Sequence, residues 1–204
     1  MKIYVQLAQT DQERQEGSLL LKKVYMDEFG LDFDKFKVAF PKSFFQDLLL
    51  IRHEENLVGT ASMMYPLEGI FPSEYIFGAR ICNNIKRNHA SRTIEVGRLA
   101  KVANFPGGII TKSVMLATAR YLEVNSLESW IATVKPALAR ILRSTGLEML
   151  PFEIEPETDG DQAEIVKRYK GDNISVFEAT RESTLTCFGK IDPFGDDFTI
   201  DIRL

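Results

Sequence analysis

Glu95 and Arg98 lie in a segment, Thr93–Ala103, whose β-branched and apolar residues predict a buried strand. Burial raises the pKa of a carboxyl group, and a carboxylate whose pKa lies near the working pH can take a proton from a substrate. Residues three apart point to opposite faces of an ideal strand, so a β-bulge at Gly97 is needed to bring both to one site. Two interpretations remain open: a general base beside a binding cation, or a buried ion pair.

A glycine-bearing turn follows this strand. Phe105–Gly108 (FPGG) precedes Ile109–Val124, whose apolar residues recur at helical spacing. Glycines at the start of a helix allow its backbone N–H groups to approach an anion. Gly107 and Gly108 are equally compatible with a simple turn.

These residues belong to a larger unit that reads as strand, helix, strand and helix. Trp130–Val134 is predicted to be a second strand, Pro136 suits the first turn of the next helix, and Gly146 suits its end. Strand, helix and strand in this order predict a parallel pair with a right-handed crossover. Ligands of such units bind beyond the carboxyl ends of the strands.

The rest of the chain predicts a mixed sheet with helices on both sides, which is an α/β fold. We expect one domain over residues 1–204. A helix from Gln12 to Phe29 is predicted to begin at a cap formed by Thr10 or Asp11 and to end at Gly30. The other predicted elements are a helix at Asp161–Tyr169 and strands at Ile3–Ala8, Leu48–Arg52, Leu57–Tyr65, Tyr75–Ile81, Leu150–Ile154, Ile174–Thr180, Leu185–Phe188 and Phe198–Leu204.

Composition excludes several classes of protein. The formal net charge of -4 argues against nucleic acid as the main partner. Cys82, Cys187, His53 and His89 have no metal-ligand spacing, so we expect no metal and two reduced cysteines. No apolar run reaches the length of a membrane span, and the N-terminus lacks the pattern of a secretory signal. The expected location is the cytoplasm.

Four segments resemble, in the same order, motifs of the acyl-homoserine-lactone synthases. Leu21–Leu31 (LKKVYMDEFGL) is similar to RxRVFVEELGW, and Leu57–Met63 (LVGTASM) to VVGTARL. Glu95–Lys101 (EVGRLAK) is similar to ESSRFxV, and Arg140–Leu147 (RILRSTGL) to RxLRxxGW. The resemblance, which covers most of the chain, implies a GNAT-like fold: a mixed central sheet, splayed in the middle, with helices on both faces.

Three departures from these motifs favour a sister group. The lactone synthases have arginine at the positions of Leu21 and Ser62 and tryptophan at that of Leu31. Those residues shape the pocket for the sulfonium substrate. The chain therefore looks more like a long-chain N-acyl amino acid synthase, a group that shares the fold and the acyl donor but makes open-chain amides.

The resemblance also implies roles for particular residues. Glu95 would be the catalytic base for an amine acceptor. Arg98, Tyr25, Phe29 and Thr133 are the predicted acceptor-binding residues. The predicted contacts of the donor's acyl-phosphopantetheine arm are Leu99, Ala100, Val102, Phe105, Gly107 and Gly108. Four basic residues either dock an acidic carrier protein or are scattered solvated charges: Lys112, Lys135, Arg140 and Arg143. Five apolar residues either line an acyl slot or belong to the core: Met63, Met64, Phe71, Met115 and Trp130.

The predicted function is therefore transfer of a fatty acyl group from acyl carrier protein to the amine of an amino acid or similar small molecule. No cofactor is expected to be bound permanently, because acyl carrier protein or acyl-CoA brings the phosphopantetheine. The turn Asn104–Ile109 lacks the full pyrophosphate-binding pattern of CoA-dependent GNAT enzymes, which favours the carrier protein. The alternatives are an acetyl-CoA-dependent GNAT N-acetyltransferase and a catalytically silent GNAT-like module that binds a lipid or a protein.

Overall fold

A computed structural model describes residues 1–32, 46–77, 81, 92–154, 167, 174–188 and 199–204. In this part of the chain, eight strands form one sheet in the order β6-β7-β5-β4-β3-β2-β1-β8. The strands are β1 (Lys2–Leu7), β2 (Gln46–His53), β3 (Asn56–Met64), β4 (Thr93–Lys101), β5 (Ser129–Val134), β6 (Leu150–Phe152), β7 (Ser175–Thr180) and β8 (Thr199–Arg203). The helices are α1 (Asp11–Phe29), α2 (Pro72–Phe77), α3 (Gly107–Val124), α4 (Pro136–Ser144) and α5 (Arg181–Phe188).

The predicted strand–helix–strand–helix unit is confirmed as β4, α3, β5 and α4. Strands β4 and β5 are parallel, as are β1 and β8, and the remaining described pairs are antiparallel. The sheet is therefore mixed. Pro136 opens α4 and Gly146 follows its end with a φ of 86°, as the sequence predicted.

Local signals in the sequence also define α1. Thr10 caps the helix, because its hydroxyl accepts a hydrogen bond from the backbone N–H of Glu13 and the Glu13 carboxylate accepts one from the backbone N–H of Thr10. Gly30 ends the helix in the left-handed region with a φ of 62°. The cap at Thr10 fixes where α1 begins relative to β1.

Two strand predictions are wrong. Tyr75–Phe77 belong to α2, which begins at Pro72 and in which the Glu74 carboxylate accepts the N–H of Phe71 at 2.9 Å. The segment Leu185–Phe188 belongs to α5, whose first turn is capped by the Thr180 hydroxyl. The capping signals thus overrode the strand propensity of the aromatic and β-branched residues. The helix predicted at Asp161–Tyr169 lies outside the described residues, apart from Lys167.

Helices cover both faces of the sheet. Ile94 and Val96 of β4 pack with α3, α4 and α5 in the main apolar cluster. On the opposite face, α1 and α2 enclose a smaller cluster that contains Leu21, Tyr25, Leu31, Ile76 and Phe77. None of the described helices has both the length and the apolar character needed to cross a membrane.

Gly59 of β3 lies where α3 crosses the sheet, and this crossing predicts the effect of a substitution. A Cβ atom at this position would stand 2.9 Å from Ile110 Cδ1 and 3.3 Å from the backbone oxygen of Ala100. Since the backbone cannot move aside easily, Gly59→Ala should lower the free energy of unfolding by about 1–3 kcal/mol. Urea denaturation followed by circular dichroism measures this change.

Gly108→Ala is the matched control. Nothing lies within 4 Å of a Cβ atom added to Gly108 in the first turn of α3. We expect this variant to be unchanged or to gain up to about 1 kcal/mol. Equal losses of stability in the two variants would contradict the close packing of α3 on β3.

Candidate active site

The sheet opens between β4 and β5. Their parallel pairing joins Thr93, Ile94 and Glu95 to Ser129, Trp130 and Ile131, and it ends there. Beyond this point β4 remains paired with β3, and β5 remains paired with β7. The two strands therefore diverge toward their carboxyl ends, which confirms the predicted splay in the middle of the sheet.

A cavity of about 350 Å³ occupies this gap. Its walls include both diverging strands and helices from both faces of the sheet, so it passes through the sheet. On the side of α1 and α2 it is lined by Tyr25, Glu28, Phe29, Pro72, Ile76 and Phe77, and on the side of α3 and α4 by Val114, Met115, Ala137, Leu138 and Leu142. Two substrates that approach from opposite faces can meet in such a passage.

Arg98 occupies a β-bulge in the cavity wall. Gly97 pairs with Ser62 and Ala100 pairs with Thr60, so Arg98 and Leu99 together oppose one residue of β3. The φ angle of Arg98 is 51°, which is uncommon for a residue with a side chain. The predicted bulge is thus present, one residue beyond Gly97.

The bulge brings Arg98 to the face of the sheet that carries Glu95. The Arg98 guanidinium donates a hydrogen bond of 2.8 Å to Gln46 Oε1. Gln46 is paired with Met64, and Met64 is paired with Glu95, so the three side chains share one face. The structure therefore brings the two sequence-predicted charges to one side of the cavity.

Glu95 is a buried carboxyl group that lines the cavity, with only 4% of its surface exposed. Its Oε2 accepts the backbone N–H of Ser73 at 2.8 Å, and its Oε1 accepts the Ser73 hydroxyl at 2.6 Å. Desolvation raises the pKa of Glu95 to about 7, although both Ser73 hydrogen bonds and the charge of Arg98 oppose this shift. A carboxyl group with this pKa can accept a proton at neutral pH.

Ser73 was not among the residues that the sequence indicated. It is fully buried in α2, and its Oγ lies 2.6 Å from Thr133 Oγ1 on β5. Ser73 and Glu95 are 22 residues apart in the sequence, and no local pattern connects them. The one available signal was the helix start at Pro72 and Glu74, which places Ser73 in a first turn rather than in a loop.

The predicted site residues fall into two groups. Those that line the cavity are Glu95, Arg98, Tyr25, Phe29, Thr133, Leu99 and Lys135. The Lys135 ammonium also lies over the ring of Phe29, 4.4 Å from its centroid. The predicted residues that do not line the cavity are Ala100, Val102, Phe105, Gly107, Gly108, Lys112, Arg140 and Arg143.

The residues of the second group lie in several places. Ala100 is buried with Leu21 and Tyr25 beneath α1. Val102 and Phe105 follow the end of β4 and pack against the main core, and Gly107 and Gly108 open α3. Neither glycine has a φ in the left-handed region, so the turn does not require glycine for its backbone conformation.

Comparison with known proteins defines the fold. No protein-family model and no curated protein sequence matches the chain. Among solved structures, the acyl-homoserine-lactone synthase LasI is similar at 14% identity with a TM-score of 0.65, over 92% of this chain and 95% of LasI. FeeM, an N-acyl amino acid synthase from uncultured soil microbes, is similar at 11% identity with a TM-score of 0.58, over 91% of this chain and 94% of FeeM.

BjaI, a CoA-dependent acyl-homoserine-lactone synthase, is similar at 12% identity with a TM-score of 0.54, over 99% of this chain and 94% of BjaI. At such identities the likeness concerns the fold alone. The chain has the fold of the GNAT-like acyltransferases, as its sequence motifs led us to expect.

The raised pKa of Glu95 predicts how stability depends on pH. Because the folded pKa of about 7 lies above the ordinary value of 4.5, folding favours the protonated carboxyl group. The contribution of Glu95 to the free energy of unfolding is therefore complete below pH 4.5 and is lost as the pH rises through about 7. The shift corresponds to roughly 3 kcal/mol at full ionisation.

Glu95→Gln removes this titration. The free energy of unfolding of the variant, relative to that of the wild type, should rise by about 2–3 kcal/mol between about pH 5 and about pH 8. Urea denaturation at the two pH values measures the difference. A difference that does not change with pH would contradict the desolvation of Glu95.

Proposed function

We propose that this chain is an N-acyltransferase that moves a fatty acyl group from a phosphopantetheine thioester to the amine of an amino acid or a similar small molecule. The observation that carries the proposal is the position of Glu95. This buried carboxylate, with its raised pKa, lies at the point where β4 and β5 separate and where the cavity joins both faces of the sheet. A general base is needed at the place where the two substrates meet.

The reaction follows from these groups. An amine attacks a thioester only after its ammonium form has lost a proton, and Glu95 is placed to accept that proton. The amine nitrogen then forms a bond to the carbonyl carbon and the C–S bond breaks. The departing thiolate takes up the surplus proton of that nitrogen, which leaves a neutral amide and a thiol. Most of the cavity lining is apolar, which disfavours water beside the thioester and so favours aminolysis over hydrolysis.

The gap between β4 and β5 suits the donor arm. Phosphopantetheine contains amide groups, and strand edges that have diverged offer backbone hydrogen-bonding partners to it. Leu99 and Val134 lie on the two sides of this gap. We assign the pantetheine arm to this gap.

An apolar end of the same cavity suits an acyl chain. Met115 and Trp130 line this end, whereas Met64 lines the cavity on the face of Glu95. Met63 and Phe71 do not line the cavity. Trp130 is held in place because its Nε1–H donates to Thr184 Oγ1 at 2.8 Å. Its ring also packs edge-to-face on Phe177. We assign the acyl chain to this end, with Trp130 as a fixed wall.

The face that carries α1 suits the acceptor. The Arg98 guanidinium stands on this side and can bind the carboxylate of an amino acid while Gln46 holds it. Leu21, which stands where lactone synthases have arginine, is buried among apolar side chains, and Ser62 is also buried. The absence of guanidinium groups at these two positions supports an open-chain amide product rather than a lactone.

For the donor we favour acyl carrier protein over acyl-CoA. Ala137 and Leu138 at the start of α4 line the cavity, and the outer face of the same helix exposes Arg140 and Arg143. Ile141 between them is 49% exposed. A basic face with one apolar side chain suits an acidic partner protein. BjaI, which is described as CoA-dependent, has the same fold, so acyl-CoA is the donor to test against the carrier protein.

The proposed function is tested by product formation. Purified protein is incubated with long-chain acyl carrier protein, the matching acyl-CoA, acetyl-CoA and a pool of amino acids and amines, and amides are identified by mass spectrometry. We expect N-acyl amino acids from a long-chain donor, and Glu95→Gln should lower kcat by about 100-fold or more. Glu148→Gln, which changes an exposed glutamate, is the control and should retain wild-type turnover.

Two other results would replace this proposal. N-acetylated amines formed from acetyl-CoA alone would establish the acetyltransferase alternative. The absence of any product, together with binding of a lipid or a protein, would establish a silent GNAT-like module.

Charge reversal on α4 tests the carrier-protein donor. Rim charges act mainly on association, so Arg140→Glu/Arg143→Glu should raise the KM for acyl carrier protein by about tenfold and leave kcat within about twofold. Added salt should raise the wild-type KM in the same direction. Arg14→Glu/Arg120→Glu changes two exposed arginines on α1 and α3 by the same total charge and should have little effect. Equal KM values for acyl carrier protein in all three proteins, without salt dependence, would contradict docking on α4.

A further inference from the structure

We propose that the hydroxyl groups of Thr133 and Ser73 carry the acceptor's proton to Glu95. This inference rests on the proposed function. Thr133 lines the cavity and is partly exposed to it, whereas Ser73 is fully buried behind it. Each of the two O···O distances in the chain from Thr133 Oγ1 through Ser73 Oγ to Glu95 Oε1 is 2.6 Å.

The direction of the hydrogen bonds follows from the number of protons. Ser73 has one hydroxyl proton, and it donates this proton to Glu95 Oε1. Ser73 Oγ can therefore only accept from Thr133, which makes Thr133 the donor of the second bond. The lone pairs of Thr133 Oγ1 then remain to accept a hydrogen bond from an ammonium group in the cavity.

Transfer along this chain balances at each atom. The ammonium N–H gives its proton to Thr133 Oγ1, the Thr133 hydroxyl proton passes to Ser73 Oγ, and the Ser73 hydroxyl proton passes to Glu95 Oε1. The amine becomes neutral, Glu95 becomes a neutral carboxylic acid, and both hydroxyl groups are regenerated. After the attack, the nitrogen carries one proton more than the amide product, and the departing thiolate sulfur takes up this second proton as the C–S bond breaks. The proton held by Glu95 then returns along the same hydrogen bonds to water once the products have left the cavity.

The backbone N–H of Ser73 makes this transfer possible without rearrangement. It donates to Glu95 Oε2 at 2.8 Å, so the carboxyl group keeps one fixed partner in both of its protonation states. Only the directions of the two hydroxyl hydrogen bonds reverse. Because the two hydroxyl groups connect the carboxyl group to the cavity, Glu95 can stay buried while it exchanges a proton with the acceptor.

The variants Thr133→Val and Thr133→Ser test the hydrogen-bonded chain from Thr133 through Ser73 to Glu95. Valine has nearly the shape of threonine but no hydroxyl group, so kcat should fall by about tenfold or more above about pH 8, where Glu95 is ionised. KM should change little. Thr133→Ser keeps the hydroxyl group and should restore kcat to within about threefold. In mixtures of H₂O and D₂O, wild-type kcat should depend on the deuterium fraction along a curve, because several protons move together.

Thr93 provides a matched control on the same pair of strands. Its hydroxyl lies 2.8 Å from that of Ser129, and both residues are buried where β4 and β5 are still paired. Neither residue lines the cavity described above. Thr93→Val removes a buried hydroxyl pair of the same chemistry, and kcat should stay at the wild-type value.

Ser73→Ala separates transfer from positioning. Loss of the hydroxyl group removes a donor to the carboxylate, so the pKa of Glu95 should rise, and ¹³C NMR of labelled glutamate measures it without any substrate. Thr133→Val should leave that pKa close to the wild-type value while it lowers kcat. An unchanged pKa in Ser73→Ala would overturn the hydrogen-bonded chain.

Wild-type kcat in Thr133→Val would also overturn the proposal and would show that the amine reaches Glu95 directly. Failure of the proposed function has a different signature, because then the wild type itself forms no amide with any donor. That result would leave no acceptor proton for Thr133 and Ser73 to carry. The proton-transfer proposal fails separately only if the wild type is active and Thr133→Val is equally active.

Discussion

Backbone pairing between β4 and β5 ends after Glu95 and Ile131, and the candidate site depends on this ending. Each strand stays paired on its outer side, β4 with β3 and β5 with β7, so the gap opens without loss of the sheet. Unpaired backbone groups are costly when they are buried without partners. A peptide-like ligand in the gap can provide partners, and for this reason we assign the donor's arm to it.

The bulge at Arg98 and Leu99 is the second consequence of this geometry. A regular strand would direct Arg98 away from Glu95, whereas the extra residue and its φ of 51° direct the guanidinium to Gln46 on the face of Glu95. Such strained conformations persist when surrounding contacts hold them, and they are common at functional sites. Desolvation of Glu95 acts in the same region, where Ser73 limits the rise in pKa and keeps the carboxyl group able to ionise near neutral pH.

Much of the fold could be predicted from the sequence because its signals are local. Hydrophobic periodicity located β4, α3, β5 and α4, and the caps at Thr10 and Gly30 defined α1. The prediction failed for Tyr75–Phe77 and Leu185–Phe188, where residues with strand propensity lie just after the start of a helix. The helix α5 is also tied to β5 by the Trp130–Thr184 hydrogen bond, which joins residues 54 positions apart.

The candidate site was predictable only in part. Glu95, Arg98 and Tyr25, which lie in the motifs, and Thr133, which the family resemblance implied, all line the cavity. The sequence did not indicate Ser73 as a site residue, because its contacts join three elements, α2, β4 and β5, that meet only in the folded chain. The glycine-bearing turn beyond β4 indicated Gly107 and Gly108 as contacts of the donor arm, but the cavity does not reach them.

The central claim is that the gap between β4 and β5 holds the acyl thioester, and a crystal structure with an unreactive thioether analogue of acyl-pantetheine tests it most directly. We predict that the pantetheine amides pair with backbone between Val96–Leu99 and Ala132–Val134, that the sulfur lies near Thr133, and that the acyl chain runs toward Met115 and Trp130. An analogue bound elsewhere, with the gap unoccupied at saturating concentration, would contradict the account.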